Sequence, residues 1–156
     1  EIVMRSPLVM KGYWNDPEET AKVLKDGWLY TGDIAYRDED GYIFIVDRSK
    51  DIIISGGFNI YPRDIDEVLI KHSQVKDVIT VGIPDSYRGE MVKAFVQLIE
   101  GATVSEADLI AYCKEQLAAY KVPREIEFKA SLPRTGVGKA LRRLLRDEEM
   151  AKGGHS

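Results

Sequence analysis

The sequence predicts an α+β protein in two parts: a small N-terminal β segment, then a compact unit in which a short mixed sheet is packed with helices. Two observations carry this. Through the first fifty residues, β-branched and aromatic positions fall in short runs broken by turn residues, the habit of brief strands. Beyond Lys50 the apolar runs lengthen and alternate with stretches of helical period. A chain of 156 residues has room for one ordinary domain, or a small domain with an appendage, and an apolar content of 44% suits a folded core.

Taken in order, 2–5 and 9–13 are expected as short strands separated by Ser6-Pro7. Asn15-Asp16-Pro17-Glu18-Glu19 opens a helix, with Asp16 as cap, Pro17 in the first turn and acids facing the positive helix end. That helix stops at Asp26-Gly27. Residues 28–30 and 34–37 are strand-like, and Asp38-Glu39-Asp40-Gly41 turns the chain back along 42–47. A charged knot, Asp47-Arg48-Ser49-Lys50, separates that strand from the next at 52–54. Gly56-Gly57 frees the backbone, either for a tight turn or for close approach of a ligand, so 51–60 is expected as a hairpin. Pro62 opens a helix through 72, with Ile65, Val68 and Leu69 on one face and Asp64, Asp66 and Glu67 turned outward. Runs 78–83 and 92–99 are apolar enough for the centre of a sheet. Ser105-Glu106-Ala107-Asp108 caps a helix through about 117. A strand at 126–128 and an amphipathic helix at 140–150 follow, with Arg142, Arg143 and Arg146 read as its solvated face. Residues 151–156 are expected to form a disordered tail.

Several function classes drop out. The net charge of −4 leaves no basic excess to neutralise phosphates, which argues against nucleic acid as the main partner. No apolar run approaches the roughly 20 residues of a transmembrane helix. A single cysteine, Cys113, rules out an internal disulfide and fits a reducing cytoplasm. It shares a helical face with Leu109 and Leu117, as a small buried hydrophobe would. No cluster of residues reads as a metal site. The opening at Glu1, without an initiator methionine or a capping turn, reads as a chain cut from something longer.

The stretch Asp47-Arg48-Ser49-Lys50-Asp51-Ile52-Ile53-Ile54-Ser55-Gly56-Gly57-Phe58-Asn59-Ile60-Tyr61-Pro62 resembles the strand, hinge and glycine loop of the adenylate-forming superfamily of acyl- and aryl-CoA synthetases, nonribosomal adenylation domains and firefly-type luciferases. Three further pieces match in the right order: Gly27-Trp28-Leu29-Tyr30-Thr31-Gly32-Asp33, Pro84-Asp85-Ser86-Tyr87-Arg88-Gly89-Glu90, and Leu132-Pro133-Arg134-Thr135-Gly136-Val137-Gly138-Lys139. The resemblance implies that 1–49 is the last β subdomain of a large N-terminal domain and 50–150 its C-terminal lid. It implies an acid–CoA ligase, of fatty-acyl or aryl type from Gly57-Phe58-Asn59-Ile60-Tyr61-Pro62. The substrates implied are ATP with Mg²⁺, held mainly by the N-terminal domain, a carboxylic acid and CoA. An adenylation domain that loads a carrier protein and a non-catalytic lid module stay open as alternatives.

Lys139, in a loop just before the last helix, matches the lysine that contacts the attacking carboxylate and nucleotide and stabilises charge at the α-phosphate; alone it reads equally as a solvated helix-entry lysine. Gly136-Val137 stands where many relatives have Pro-Thr. This is no Walker loop, because Pro133 and Ala140 replace the glycine and the Ser/Thr. Asp33 matches the carboxylate that holds the ATP ribose, though a turn-stabilising contact would also explain it. Arg48 matches an arginine of the ribose or phosphate region; by itself it reads as a surface ion pair. Lys50 matches the hinge, by resemblance alone. Gly56, Gly57 and Phe58 match the glycine loop along the pantetheine path, and Arg88 and Arg124 match arginines that contact the CoA nucleotide. Strands 2–5 and 9–13, without the sheet they would have paired with, are expected to invite self-association.

Overall fold

Short strands broken by turns leave two small antiparallel pieces in the first fifty residues. The computed structural model describes residues 1–153, and the chain divides into two units, Glu1–Lys50 and the residues from Asp51 on. In the first, β1 (Val3–Met4), α1 (Pro17–Val23), β2 (Leu24–Lys25) and β3 (Trp28–Tyr30) form a helix beside a three-stranded sheet of order β1-β3-β2. Asp16 caps α1 by accepting the Glu19 N–H at 3.0 Å. β4 (Asp33–Arg37) and β5 (Ile43–Arg48) form a separate two-stranded ribbon. Its turn is closed by the Asp38 carboxylate, which accepts the Tyr42 N–H at 2.8 Å, and by Gly41 at φ +92°.

Two expectations for this unit need correction. Residues 9–13 form no strand, because their backbone donors are satisfied locally: the Val9 N–H donates to the Ser6 carbonyl at 3.1 Å and the Tyr13 N–H to Thr20 Oγ1 at 2.9 Å. Nor is the first strand without a sheet, since Val3 pairs with Tyr30 and Met4 with Leu29.

A single 3₁₀ turn, Ser49–Asp51, leads into the second unit. There β6 (Ile53–Ser55), β7 (Phe58–Ile60), α2 (Pro62–Leu69), β8 (Val75–Asp85), β9 (Gly89–Leu98), α3 (Glu106–Gln116), β10 (Glu125–Phe128) and α4 (Arg142–Gly153) follow in order. β9 is the spine of a mixed five-stranded sheet. It pairs antiparallel with β8 along its whole length, parallel with β10, and with β6 through Ser55 and Gly89. Successive residues of a strand face opposite ways, and both faces are covered. Val78, Val92, Ala94 and Val96 pack with Ile65, Leu69, Leu109 and Cys113 on the α2–α3 side. Ile79, Val81, Ile83 and Phe95 pack with Leu145 of α4 on the other. This two-sided burial is why 78–83 is apolar on both faces apart from Thr80. Gly56 and Gly57, at φ +56° and +82°, are the two central residues of the β6–β7 hairpin, the tight-turn reading of that pair. The Ser105–Asp108 capping box at the head of α3 forms as expected. The Cys113 thiol is buried, which pushes its pKa up to about 11.

The last helix differs from expectation in two ways. It runs through Gly153, so 151–153 are helical rather than part of a tail; Lys152 holds this end through Glu149 at 2.7 Å and Glu127 at 3.1 Å. Residues 154–156 lie outside the described residues. The face taken as solvated is only partly so. Arg143 is 91% exposed, but Arg142 and Arg146 turn inward, Arg142 to Asp66 at 2.7 Å and Arg146 to Asp51 at 2.8 Å. Asp66 therefore does not face outward. It also accepts the Thr80 N–H at 2.8 Å, and its burial pushes the carboxyl up to about 6 against the pull of Arg142. Among the described residues no helix is long and apolar enough to cross a membrane.

Candidate functional site

In the second unit the head of β9 is where chemistry gathers. The turn before it is built on Asp85, whose carboxylate accepts the N–H groups of Tyr87 at 3.0 Å and Arg88 at 2.8 Å. These bonds hold its carboxyl below the usual range, with the charges of Arg124 and Arg88 adding to them. Gly89, at φ +81°, completes the turn. The Gly56 N–H donates to the Arg88 carbonyl at 2.9 Å, tying the glycine hairpin to the same corner. Arg124 arrives from the other side, its N–H on the Val92 carbonyl at 2.9 Å. Tyr120, in the 3₁₀ turn Ala119–Lys121, stacks on Phe58 with ring centroids 4.6 Å apart and planes within 16°.

These elements surround an open cavity of about 530 Å³, with Ser55, Arg88, Lys114, Tyr120 and Arg124 as its polar lining and Ile110 and Leu117 on its apolar wall. Its electrostatics are one-sided. Most cations of this unit are matched to carboxylates, as Lys93, Lys121, Lys129, Arg134 and Arg142 are. Among the described residues, the side chains of Arg88, Lys114 and Arg124 have no ion-pair or hydrogen-bond partner. Three such cations on one concavity with an aromatic ring make a receptor for a multiply charged anion that carries a flat group. The structure thus brings Arg88 and Arg124 to one cavity; Gly56, Gly57 and Phe58 are not in its lining, and are joined to it through the Gly56 N–H on Arg88 and the Phe58 ring on Tyr120. Lys114 and Tyr120 escaped the sequence reading; Lys114 carries no motif, and Tyr120 was signalled only by standing four residues before Arg124.

Lys139 lies elsewhere, in a loop tied at its base. The Thr135 N–H donates to the Lys139 carbonyl at 2.9 Å, the Gly138 N–H to the Thr135 carbonyl at 2.8 Å, and the Lys139 N–H to Thr135 Oγ1 at 3.0 Å. Arg134 braces the loop. Its guanidinium holds Asp77 at 2.5 and 2.8 Å and the Gly138 carbonyl at 2.9 Å, a part the sequence left unassigned although Arg134 stands within the matching segment. Gly138, at φ +80°, makes the turn. The Lys139 side chain is exposed and its ammonium has no partner among the described residues.

In the first unit, Asp33 and Arg48 stand directly opposite each other on β4 and β5. Arg48 Nε meets Asp33 Oδ1 at 3.1 Å, and Nη2 reaches the Thr31 carbonyl at 3.3 Å. The two residues expected at a nucleotide are therefore partners of each other, and the Arg48 N–H also donates to Asp47 Oδ1 at 2.8 Å. Arg48 also lines a cavity of about 470 Å³ with Tyr30, Thr31, Gly32, Lys22 and Lys25. Lys50 occupies the 3₁₀ turn between the units. Glu125, Glu127 and Glu149 lie close enough for a metal ion, but the Lys93 ammonium fills their centre at 2.6, 2.9 and 2.7 Å.

Residues 64–139 match the family described as AMP-binding enzyme C-terminal domain. The chain is 56% identical over 149 residues to a long-chain-fatty-acid–CoA ligase of Bacillus subtilis strain 168, covering 96% of this chain and 27% of that protein. The structure is similar to that of ATP-bound MatB from Rhodopseudomonas palustris, with a TM-score of 0.85, 38% identity, and coverage of 92% of this chain and 29% of that one. It is also similar to the amide bond synthetase McbA from Marinactinospora thermotolerans, with a TM-score of 0.82, 42% identity, and coverage of 94% and 30%. The chain spans little more than a quarter of the length of these relatives, 27% for the Bacillus ligase.

Proposed function

We propose that this chain, which carries the C-terminal domain of the AMP-binding enzymes over residues 64–139, is the C-terminal portion of an ATP-dependent acid–CoA ligase. A fatty-acyl or aryl carboxylate attacks the α-phosphate of ATP, giving the acyl-adenylate and pyrophosphate. The CoA thiol then attacks the acyl carbonyl, and AMP leaves. The observation that carries this reading is the cavity with Arg88, Lys114 and Arg124 unpaired among the described residues, on a domain whose relatives include CoA ligases. In it, Arg88 and Arg124 bind the CoA nucleotide, and Gly56, Gly57 and Phe58 border the approach of the pantetheine arm. Lys139 supplies the positive charge that stabilises the α-phosphate in the adenylation step. Asp33, oriented by Arg48, accepts the ribose hydroxyls, and Lys50 is the joint about which the C-terminal unit turns between the half-reactions. Mg²⁺ would accompany ATP. The Glu125–Glu127–Glu149 cluster does not fit it, being closed around Lys93. A chain whose one cysteine, Cys113, is buried and forms no disulfide fits a cytoplasmic setting.

Likeness to an amide bond synthetase favours a second reading, in which an amine replaces CoA as acceptor; CoA binding by the cavity separates the two. The roles of Lys139 and Lys50 are tested in the full-length ligase by following each half-reaction with rapid chemical quench. Lys139→Ala is expected to slow adenylate formation by about 10²–10³-fold, the usual cost of losing one charge-stabilising donor, and thioester formation from presynthesised acyl-adenylate far less. Lys50→Pro, which fixes φ at the joint, is expected to spare adenylation and slow thioester formation. Equal damage to both half-reactions by both variants would overturn these roles.

A further inference from the structure

The three unpaired cations of the cavity differ in chemistry and origin. Arg88 and Arg124 stand at one end of the sheet beside the first residues of β9, one preceding Gly89 and the other bonded through its N–H to the Val92 carbonyl at 2.9 Å. Lys114 comes from the last turn of α3, with Ile110 one turn before it and Leu117 after it on the same cavity wall. The cavity thus offers two planar forks, from the head of β9 and the start of β10, and a point charge from α3, with Ile110 and Leu117 flanking that charge along the helix side of the lining. A guanidinium fork suits the paired oxygens of a diphosphate, whereas an ammonium suits a compact phosphate monoester. The nucleotide end of CoA carries both groups, a 5′-diphosphate and a 3′-phosphate, on one adenosine.

We infer that Lys114 recognises the 3′-phosphate of CoA and is the residue by which this cavity distinguishes CoA from dephospho-CoA. This rests on the reading of the cavity as the CoA site. A lysine in the last turn of a helix also complements the helix dipole, but that role affects stability and gives no preference between two ligands that differ by one phosphate.

Calorimetric titration of the 156-residue chain with CoA and with dephospho-CoA, at fixed low ionic strength, tests the inference. CoA is expected to bind about tenfold tighter, the scale of one added charge-assisted contact. Lys114→Ala is expected to bind the two ligands alike, at the wild-type affinity for dephospho-CoA. Arg124→Ala is expected to weaken both and keep the ratio. Equal affinities in the wild type, or a ratio retained by Lys114→Ala, would overturn the role of Lys114 and leave the CoA site standing. No heat with either ligand at millimolar concentration would overturn the CoA site and this inference together.

Discussion

Lys93→Met isolates the most heavily charged contact in the protein. The Lys93 side chain is 3% exposed and its ammonium meets Glu125, Glu127 and Glu149 at 2.6, 2.9 and 2.7 Å. Methionine keeps the aliphatic stem and removes the charge, leaving Lys152 on Glu127 and Glu149, Lys129 on Glu127, and Glu125 without a cation among the described residues. Breaking a buried ion pair from one side costs about 3–5 kcal/mol. Here Glu149 is 10% exposed but Glu127 is 27% and Glu125 43%, so water relieves part of that cost and about 3 kcal/mol is the appropriate end of that range. For a chain of this size the expected fall in Tm is about 6–12 °C. The pH dependence supplies the sharper test. In the wild type the carboxyl of Glu127 is held down to about 2 from its ordinary 4.5; burial opposes the shift, and hydrogen bonds from Lys93 and Lys152 outweigh it. Its stabilising contribution is thus full above about 4.5 and is lost as pH falls toward 2. Without Lys93, Glu127 keeps Lys152 and Lys129 but loses its other cation, its folded pKa rises toward the ordinary value, and the variant has less of this contribution to lose as pH falls from about 4.5 toward 2. The gap between the two proteins should therefore narrow on acidification. Urea unfolding at pH 7, 4.5 and 3 measures it. A variant within about 1 kcal/mol of wild type at pH 7, or a gap independent of pH, would refute the reasoning.

Two more outcomes are expected of the chain itself. Incubated with ATP, Mg²⁺, fatty or aryl acids and CoA, it should release no AMP above background, since the relatives it matches are more than three times as long, with 27% of the Bacillus ligase covered; turnover would show that the proposed division of labour is wrong. The β4–β5 ribbon leaves Tyr36, Tyr42, Ile43 and Phe44 exposed, so the chain should associate with rising concentration in sedimentation velocity. Ile43→Lys should shift it toward monomer, and a strict monomer at every concentration would count against association.

What was legible in the sequence was local. Asp16, the capping box at Ser105, the Gly56-Gly57 turn and the apolar runs of β8 and β9 announce themselves because the partners of each signal lie within a few residues or in the strand's own alternation. What was misread depends on distant partners. Asp66 borders the apolar stripe of α2, and nothing near it tells that its cation is Arg142, 76 residues later. Lys93 interrupts an apolar run, and the carboxylate that buries it from α4, Glu149, is 56 residues on. Residues 9–13 have strand composition, yet Ser6 and Thr20 take their donors before any neighbouring strand can. The site divides in the same way. Arg88 and Lys139 stand within ordered motifs and Arg124 was named from the resemblance, whereas Lys114 shares a cavity with the two arginines only once α3 is laid against the sheet.

The distant ion pairs also bear on how a turn at Lys50 would reach the chemistry. Asp51, the next residue, is bound by Arg146 at 2.8 Å, and Arg142 holds Asp66 of α2 and the Thr80 carbonyl of β8. Both arginines lie in the first two turns of α4, which begins three residues after Lys139. On the other side of that loop, Arg134 is bound to Asp77 of β8. Lys139 is therefore tethered on one flank to α4, which holds Asp51, and on the other to β8, which Arg142 joins to α4. A rotation of the backbone at Lys50 would pass through Asp51 into α4 and the sheet and carry Lys139 with them. Without those pairs, the 3₁₀ turn and the loop could yield separately, and the same rotation would be absorbed before it moved the lysine.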